Sequence, residues 1–407
     1  MRIGLLSFEF PVETGFGGIG TYTWHHARAL ATLGHDVHVL AGARETTTLR
    51  STEEDGVRVH RFWAGGLAMR AFERLGTLRW WWTRQRLQNA WSMYQGISAL
   101  HREFHFDVLE MPECGGEGAL VTRRMDVPTV VKLHSPARLI MPFYDVPRAD
   151  RVLCPAIEKR ALVRPSAITS CSRFLADEAA ARMGIALPIR VVTNGLDVGW
   201  FDATIGHVDV HERYGLPKGR LMIVFTGRME RRKGIHLCPE IVTSILERFP
   251  VTFVFAGDDL FGYASGTMLP ALASRSLQGS IHCLGAIPLA DLRPLVRAAD
   301  IFLLPSLWEN CPYSCLEAMA AGRAIVAANQ GGMPELIEDG VSGVLAAPGD
   351  ASSFVRQIER LLEDGGLRQR LGAAARETVL RRHRHTDVAH ETLGVYRDVL
   401  AGRAGAA

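Results

Sequence analysis

The stretch ADIFLLPSLWENCPYSCLEAMAAG, from Ala299 to Gly322, combines the features that decide the fold. It contains a short apolar run at residues 301–304, a loop interrupted by prolines, and an alanine-rich segment typical of a helix. A strand, a loop and a helix form the repeating unit of a parallel α/β sheet, which binds ligands outside the carboxyl ends of its strands. Two carboxylates, Glu309 and Glu317, lie at this transition, so the stretch predicts a ligand site as well as a fold.

The same unit recurs on both sides of this stretch. We predict strands at residues 2–7, 36–41, 106–111, 129–133, 167–171 and 190–192, and again at 221–226, 251–256, 280–284, 301–304 and 324–327. A polar segment with Gly215, Pro217 and Gly219 separates the two series. The sequence therefore predicts an α/β protein with two Rossmann-like, doubly wound domains, residues 1–197 and 198–382. A last helical segment, residues 383–407, is expected to leave the second domain.

Composition narrows the function classes. A chain of 407 residues is too long for one ordinary core, and 22% charged with 47% hydrophobic residues describes a globular protein. The net charge of +3 does not indicate a nucleic-acid partner. No stretch approaches the roughly 20 apolar residues of a membrane span, and Glu9 interrupts the first apolar run, so we expect no signal peptide. Seven dispersed cysteines predict reduced thiols and a cytoplasmic location.

Residues 65–105 depart from the strand–helix pattern. They are rich in arginine and include three consecutive tryptophans, Trp80 to Trp82. A basic, aromatic helix can lie at a membrane interface or hold an anionic acceptor. The alternative, which we favour, is a long helix that packs its tryptophans on the sheet and exposes its arginines. A peripheral contact between the basic first domain and the inner face of a membrane therefore stays open.

Two features of the first half bear on ligand binding. The loop after the first predicted strand holds Gly15, Gly17 and Gly20 in the register of G-x-G-x-x-G, although these glycines also suit a simple tight turn. His134 follows the strand predicted at residues 129–133 directly. This position faces a ligand crevice, but a lone histidine is as often structural, so both interpretations stand.

In the second half, the segment GRMERRKG, residues 227–234, follows a predicted strand. This loop holds four cations, Arg228, Arg231, Arg232 and Lys233, and such positive charges beside a helix start suit a diphosphate. The alternative is a solvated basic turn, which would account for Arg231 and Arg232.

Of the two glutamates in the opening stretch, only Glu317 has a structural interpretation as an alternative to ligand binding. Ser314 and Glu317 have the S-x-x-E spacing of a helix capping box, which would make Glu317 structural. Glu309 lies in the loop and has no such alternative. Carboxylates at both positions suit adjacent hydroxyls of a sugar or ribose, and the first-turn amides near Cys315 and Leu316 are expected to accept a phosphate. Cys311 and Cys315 lack further ligands nearby for a metal site.

These residues resemble the retaining glycosyltransferases of family 4, which have the GT-B fold of two Rossmann-like domains facing a central cleft. The resemblance covers the chain except the Trp/Arg-rich segment, and its most specific part is E-x7-E, here Glu309 to Glu317. It implies that Glu309 meets the donor sugar, that Glu317 meets the ribose, and that the last helix crosses back onto the first, acceptor-side domain. It also implies a front-face reaction assisted by the leaving diphosphate, without metal or cofactor.

The resemblance implies which residues take part in catalysis and which bind the donor. The residues expected in catalysis are His134, Arg228, Lys233 and Glu309. Those expected to bind the donor are Gly18, Asn194, Arg228, Lys233, Glu309, Asn310, Cys311, Tyr313, Ser314, Cys315 and Glu317. The donor is expected to be a UDP- or GDP-sugar, and the acceptor a cell-surface glycan, a lipid-linked intermediate or a natural product. The alternatives are a GT-B epimerase or phosphorylase and an NAD-dependent oxidoreductase.

Overall fold

The computed structural model describes residues 1–11, 13–15, 17–44, 48–203, 208–273 and 278–404. The chain divides into two compact units, each with its own sheet. Unit 1 comprises Met1–Asp197 and His385–Ala407, and unit 2 comprises Val198–Arg384.

Unit 1 contains, within the described residues, an eight-stranded sheet. Its strands are β1 (Arg2–Ser7), β2 (Asp36–Gly42), β3 (Arg50–Glu54), β4 (Val57–Phe62), β5 (Val108–Pro112), β6 (Thr129–Leu133), β7 (Ala167–Ser170) and β8 (Ile189–Val191). The strand order is β3-β4-β2-β1-β5-β6-β7-β8, and only the β3–β4 pair is antiparallel. The order reverses between β1 and β5, so the loops that follow these two strands diverge and leave a crevice at the carboxyl edge.

Helices connect these strands. They are α1 (Gly18–Thr32), α2 (Leu67–Thr77), α3 (Trp81–Phe104), α4 (Val121–Arg124), α5 (Ala137–Ile140), α6 (Arg148–Ala161) and α7 (Arg173–Met183). The Trp/Arg-rich segment forms two of them, α2 and α3, which pack against each other. On α3, Met93, Ile97 and Leu100 are fully buried, so this helix packs on unit 1 as the favoured interpretation predicted. Trp81, however, is 52% exposed at the beginning of α3, so the tryptophans do not all pack on the sheet.

Unit 2 contains a six-stranded parallel sheet in its described part. Its strands are β9 (Met222–Thr226), β10 (Thr252–Ala256), β11 (Ile281–Gly285), β12 (Ile301–Leu304), β13 (Ala324–Ala328) and β14 (Val344–Ala346). The order is β11-β10-β9-β12-β13-β14, which reverses between β9 and β12. Every residue of β9, β10, β12 and β13 is buried, which is why these strands read as continuous apolar runs.

The helices of unit 2 cover this sheet. They are α8 (Val198–Asp202), α9 (Val210–Tyr214), α10 (Cys238–Leu246), α11 (Leu269–Ala273), α12 (Leu289–Ala298), α13 (Tyr313–Ala320), α14 (Met333–Leu336), α15 (Ala351–Glu363) and α16 (Gly365–Arg382). Helix α10 packs against α15, and α13 packs against α16. Asp350 and Asp364 cap α15 and α16 by accepting backbone N–H bonds, which fixes where each helix begins.

The last helix, α17 (His385–Ala404), belongs to unit 1. Val388, Leu393 and Tyr396 are buried in the same core as β1 and α1. The Tyr396 hydroxyl donates to Glu110 Oε2 at 2.8 Å, deep in that core. No Cβ fits at Gly195, because it would lie 2.6 Å from His385 Cα, so the chain segments before and after unit 2 are in close contact.

The sequence analysis missed the β3–β4 hairpin. Every residue of β3 is exposed, so the strand has no apolar run to reveal it. The signal was in the turn: Asp55 and Gly56 both have positive φ, 52° and 77°. An Asp-Gly pair with this geometry is typical of a two-residue type I′ hairpin.

Candidate active site

The candidate site of unit 2 lies at the reversal between β9 and β12. The loop after β9 continues into a 3₁₀ turn at Arg231–Lys233, and the loop after β12 leads into α13. The Leu307 amide of the second loop donates to Arg232 O of the first at 2.8 Å. The two segments that the sequence singled out, GRMERRKG and the E-x7-E stretch, are therefore in direct contact.

Glu309 is the centre of this contact. Its side chain is buried, and Oε1 pairs with Lys233 Nζ and, at 3.2 Å, with Arg232 Nη1. Burial alone would raise the pKa of Glu309, but the charges of Lys233 and Arg232 outweigh it and hold this pKa below its usual value. The carboxylate is therefore ionised at neutral pH, and its second oxygen, Oε2, is left to accept hydrogen bonds from ligand hydroxyls.

For Lys233, burial has the larger effect on the pKa. Burial lowers the pKa of its ammonium group, and the Glu309 carboxylate opposes that effect. An ammonium group has three N–H donors, so the bond to Glu309 leaves others for an anionic ligand. Arg228, from the same loop, has a half-exposed side chain with Nε 3.9 Å from Glu230 Oε2. Arg228 and Lys233 thus provide positive charge at the carboxyl edge of β9.

Sequence analysis missed Glu230 as a site residue, and it placed Arg232 in the basic loop without predicting its burial. Arg232 is only 6% exposed; its Nη2 donates to Glu230 Oε1 at 2.6 Å and its Nη1 to Trp308 O at 3.1 Å. The interpretation of Arg232 as a solvated residue of a basic turn is therefore wrong, whereas Arg231 is exposed as expected. The alternation of acid and base in Glu230-Arg231-Arg232 was the available signal, but burial of a loop side chain depends on contacts from β12.

Backbone packing holds Glu309 in place from the other side. The Gly332 amide donates to Glu309 O at 2.9 Å. Gly331 has φ of +66°, and a Cβ there would lie 2.0 Å from the same carbonyl oxygen. Only glycine allows this approach, so the turn before α14 fixes the position of the Glu309 backbone.

Glu317 is not part of a capping box. The residue that caps α13 is Pro312, without a side-chain bond, and Ser314 lies inside the helix with a buried Oγ that has no partner among the described residues. The capping interpretation of Ser314 and Glu317 is therefore wrong, and with it the structural explanation of Glu317. Burial raises the pKa of Glu317 to about 8, so this group is a neutral carboxylic acid at pH 7.

The other predicted donor-binding residues adjoin Glu309 along the chain. Asn310, Cys311 and Tyr313 are buried in the loop and first helical turn. The amides of Cys315 and Leu316, expected to be free for a phosphate, both donate to Pro312 O, at 3.1 and 3.3 Å. The Cys315 thiol is fully buried, so this residue presents neither group to a ligand.

The three predicted residues of unit 1 also lie in or after turns at its sheet. Gly18 begins α1, and a Cβ there would meet nothing within 4 Å, so the space beside it is open. His134 follows β6 and is 7% exposed, its ring 4.9 Å from that of Tyr22. Burial holds the pKa of His134 well below its usual value, so the ring is neutral. Asn194 is buried in the turn after β8.

A buried carboxyl group positions His134. Glu113, which follows β5, accepts the amides of His134 at 2.8 Å and Ser135 at 2.7 Å and is fully buried. Burial raises the pKa of Glu113 to about 8. Glu117 has a pKa raised to about 8 by burial as well, and accepts the Phe8 amide at 2.8 Å. Sequence analysis overlooked both, although Glu113 follows β5 as directly as His134 follows β6.

No group of three or more His, Cys, Asp or Glu in the described ranges is arranged to hold a metal ion. Asp259, in the turn after β10, accepts the amides of Ala264 at 3.0 Å and Ser265 at 2.8 Å, as a polar turn does.

Comparison with known families decides the assignment of this site. The family model "Glycosyltransferase Family 4" matches residues 16–200, and "Glycosyl transferases group 1" matches residues 220–364. The chain belongs to glycosyltransferase family 4. The match to the second model includes the β9 loop and both glutamates of E-x7-E, so the predicted family is confirmed on the residues that suggested it.

Relatives of this family 4 chain match it over nearly the whole length. It is 26% identical to a glycogen synthase of Mycobacterium tuberculosis (strain CDC 1551 / Oshkosh) over 433 residues, covering 97% of this chain and 94% of the relative. Among solved structures, sucrose-phosphate synthase from Thermosynechococcus elongatus has a TM-score of 0.78 at 21% identity, covering 98% and 99%. Alr3699/HepE of Anabaena in complex with UDP-glucose has a TM-score of 0.71 at 18% identity, covering 97% and 100%.

These matches establish the GT-B fold and the enzyme class. The chain is a glycosyltransferase, and the NAD-dependent oxidoreductase alternative is set aside. None of the helices in the described residues combines the length and apolar character that a membrane span requires.

Proposed function

We propose that this enzyme transfers a sugar from a nucleoside diphosphate sugar to an acceptor hydroxyl, with retention of the anomeric configuration and without a metal. One observation supports this most strongly: Glu309 is buried yet ionised between Arg232 and Lys233, at the strand reversal of unit 2. A fixed carboxylate beside fixed cations suits a ligand with hydroxyls at one end and a diphosphate at the other.

In the proposed complex each group has one task. Glu309 accepts hydroxyls of the donor sugar, and Glu317 contacts the ribose. Arg228 and Lys233 contact the diphosphate, whose negative charge grows as its bond to the anomeric carbon breaks. The acceptor oxygen bonds to that carbon on the face the diphosphate leaves, and the acceptor proton passes to a diphosphate oxygen. His134, held neutral in unit 1, is proposed to act beside the donor sugar.

The donor is proposed to be a UDP- or GDP-sugar, and UDP-glucose is the first candidate because the HepE structure holds it. The acceptor is proposed to be a cell-surface glycan, a lipid-linked intermediate or a natural product. No cofactor besides the donor is proposed, so excess EDTA should leave the rate unchanged.

The proposal is tested by replacing Lys233. Lys233→Met removes a charge from the leaving group, so we expect turnover to fall by about 10²-fold or more. Arg231→Met is the matched control, because Arg231 lies on the same turn but is exposed. Release of nucleoside diphosphate from a panel of UDP- and GDP-sugars, with candidate acceptors, gives the rate. Equal turnover of both variants and the wild type would overturn the proposed role.

The same assay separates the enzyme from an epimerase or phosphorylase. A transferase releases nucleoside diphosphate faster when an acceptor is added, and the first product has the anomeric configuration of the donor. An epimerase converts the donor without acceptor-dependent release, and a phosphorylase requires inorganic phosphate.

A peripheral membrane contact is also proposed, at an exposed face of α2. Leu67 and Leu78 are 81% and 58% exposed. They are 11 positions apart, which places them on one side of the helix, together with Arg74. Arg70 and Arg79 are exposed nearby. Leucines among arginines suit an anionic membrane surface.

This contact is tested by co-sedimentation with vesicles of phosphatidylglycerol and phosphatidylcholine. The double variant Leu67→Glu, Leu78→Glu should lose most of the vesicle binding of the wild type. Val341→Glu is the control, since Val341 is also an exposed apolar residue, at 50%, but lies in unit 2. Failure of the wild type to co-sediment would contradict the proposal.

A further inference from the structure

A cavity of about 360 Å³ opens in unit 1 where α3 begins. It lies at the carboxyl edge of the sheet, because Phe8 follows β1 and Trp63 follows β4 directly. This is the same edge that carries Gly18 and His134. The volume is within the range of about 300–1,000 Å³ typical of small-molecule sites.

Four aromatic rings line this cavity. Phe8 and Trp63 pack edge to face, with ring centroids 5.3 Å apart. Trp82 packs against Tyr144 at 5.6 Å. Trp81 remains 52% exposed. Its indole therefore offers a free apolar face, which is the surface on which the C–H side of a sugar ring packs.

Arginines contact both tryptophans at the start of α3. Arg86 lies over Trp82, 5.5 Å from the ring centroid, and is itself buried in an ion pair with Glu158 at 2.7 Å. Arg84 lies over Trp81 at 5.1 Å. The buried ion pair fixes Trp82, and a side chain that is already fixed loses little entropy when a ligand binds.

The polar lining comes from one stretch of α3. Gln85, Gln88 and Asn89 carry amide groups, and Arg84 is the charged residue of the lining. Asn89 is only 3% exposed, and in the described part of the chain its Oδ1 has no hydrogen-bond donor. A buried carbonyl oxygen without a partner costs free energy, which a ligand hydroxyl would recover. Amides both donate and accept, as hydroxyl-rich ligands require.

We propose that this cavity binds a neutral saccharide of the acceptor, one ring stacked on Trp81 and its hydroxyls bonded to Gln85 and Asn89. The proposal rests on the function proposed above, since it names the acceptor class of that reaction. A lipid surface suits the cavity less well, because acyl chains offer no donor to the buried Asn89 oxygen and the cavity is concave.

The test measures acceptor affinity with the full-length protein. Saturation-transfer NMR with methyl and p-nitrophenyl α- and β-hexosides identifies the saccharides that bind, without any transfer reaction. Transfer to the best of these then gives the acceptor KM. Trp81→Ala and Gln85→Ala should each weaken saccharide binding and raise the acceptor KM at least fivefold, whereas the donor KM stays unchanged. Trp81→Phe, which keeps an aromatic face, should restore most of the affinity.

Gln95→Ala is the matched control, because Gln95 is exposed on the same helix but does not line the cavity. Unchanged saccharide binding and KM in Trp81→Ala and Gln85→Ala would overturn the cavity proposal while leaving the transferase intact. Loss of vesicle binding in Trp81→Ala, with unchanged KM, would assign the cavity mouth to a membrane and also overturn it. Saccharide binding without any transfer by the wild type would instead contradict the proposed function.

Discussion

At the scale of single residues, Glu309 and Glu317 are both buried glutamates but differ in charge. Glu309 is ionised because Arg232 and Lys233 contact its carboxylate. Glu317 forms no ion pair with any described residue, and burial raises its pKa to about 8. The E-x7-E motif therefore holds one carboxylate anion, which only accepts hydrogen bonds, and one neutral carboxylic acid, which also donates one. The two side chains thus suit different hydroxyl groups of a ligand.

This difference predicts unequal effects of the same substitution at pH 7. Glu309→Gln leaves the buried Lys233 without the carboxylate that contacts it, and leaves Arg232 paired with Glu230, so it should lower the free energy of unfolding by about 3 kcal/mol. Glu317→Gln replaces a neutral acid with a neutral amide of similar size and should cost less than about 1 kcal/mol. Urea unfolding of both variants beside the wild type measures the difference. Equal destabilisation would show that the assigned charge states are wrong.

At the scale of elements, the turn before α14 determines where Glu309 lies. We therefore predict that Gly331→Ala disturbs the site, because its new Cβ would collide with Glu309 O and displace the Glu309 carboxylate from Lys233. We expect a loss of both thermal stability and donor affinity.

Gly340→Ala provides the comparison for this element. Gly340 has a similar φ of +75° but open space around it, so it carries the backbone strain without the collision. Thermal melting and donor titration of both variants separate the two effects. If Gly331→Ala bound donor as tightly as Gly340→Ala, the turn would not position Glu309.

The secondary-structure elements also show how much of the fold and of the candidate site could be predicted from the sequence. Strands β6 and β12 begin and end at the predicted residues, because each is a fully buried, mostly apolar run with a proline at one end and a polar residue at the other. Strand β3 was missed because burial, the signal used elsewhere, is absent there. At the site, Glu309 and Lys233 were found by position after strands. The burial of Arg232 was not predicted, because it depends on contacts with Trp308 and Glu309, far along the chain.

At the scale of the whole molecule, buried titratable groups predict the pH dependence of stability. Glu113, Glu117 and Glu317 have pKa values raised to about 8 from 4.5. Buried histidines, with lowered pKa values, are neutral in both states above about pH 7.5, one unit over their ordinary pKa of about 6.5. Between about pH 7.5 and 8.5 the folded carboxyls therefore hold protons that the unfolded chain has lost. Stability must fall as the pH rises through this window.

We expect the melting temperature to decrease from about pH 7.5 to 8.5, with each carboxyl contributing up to about 1.4 kcal/mol per pH unit. Glu317→Gln removes one of the three groups, so its decrease should be shallower than that of the wild type. Differential scanning calorimetry at about pH 7.5, 8.0 and 8.5 measures both slopes. A wild-type melting temperature that rose across this range would contradict the assignment.

The central claim is that the loops after β9 and β12 hold the diphosphate sugar, with Lys233 among its direct contacts. Isothermal titration with the UDP- or GDP-sugar that the enzyme turns over tests it most directly. We predict one donor per chain for the wild type, binding weakened at least tenfold in Lys233→Met, and binding within threefold of the wild type in Arg231→Met. Equal affinity of all three proteins would place the donor elsewhere and contradict the account.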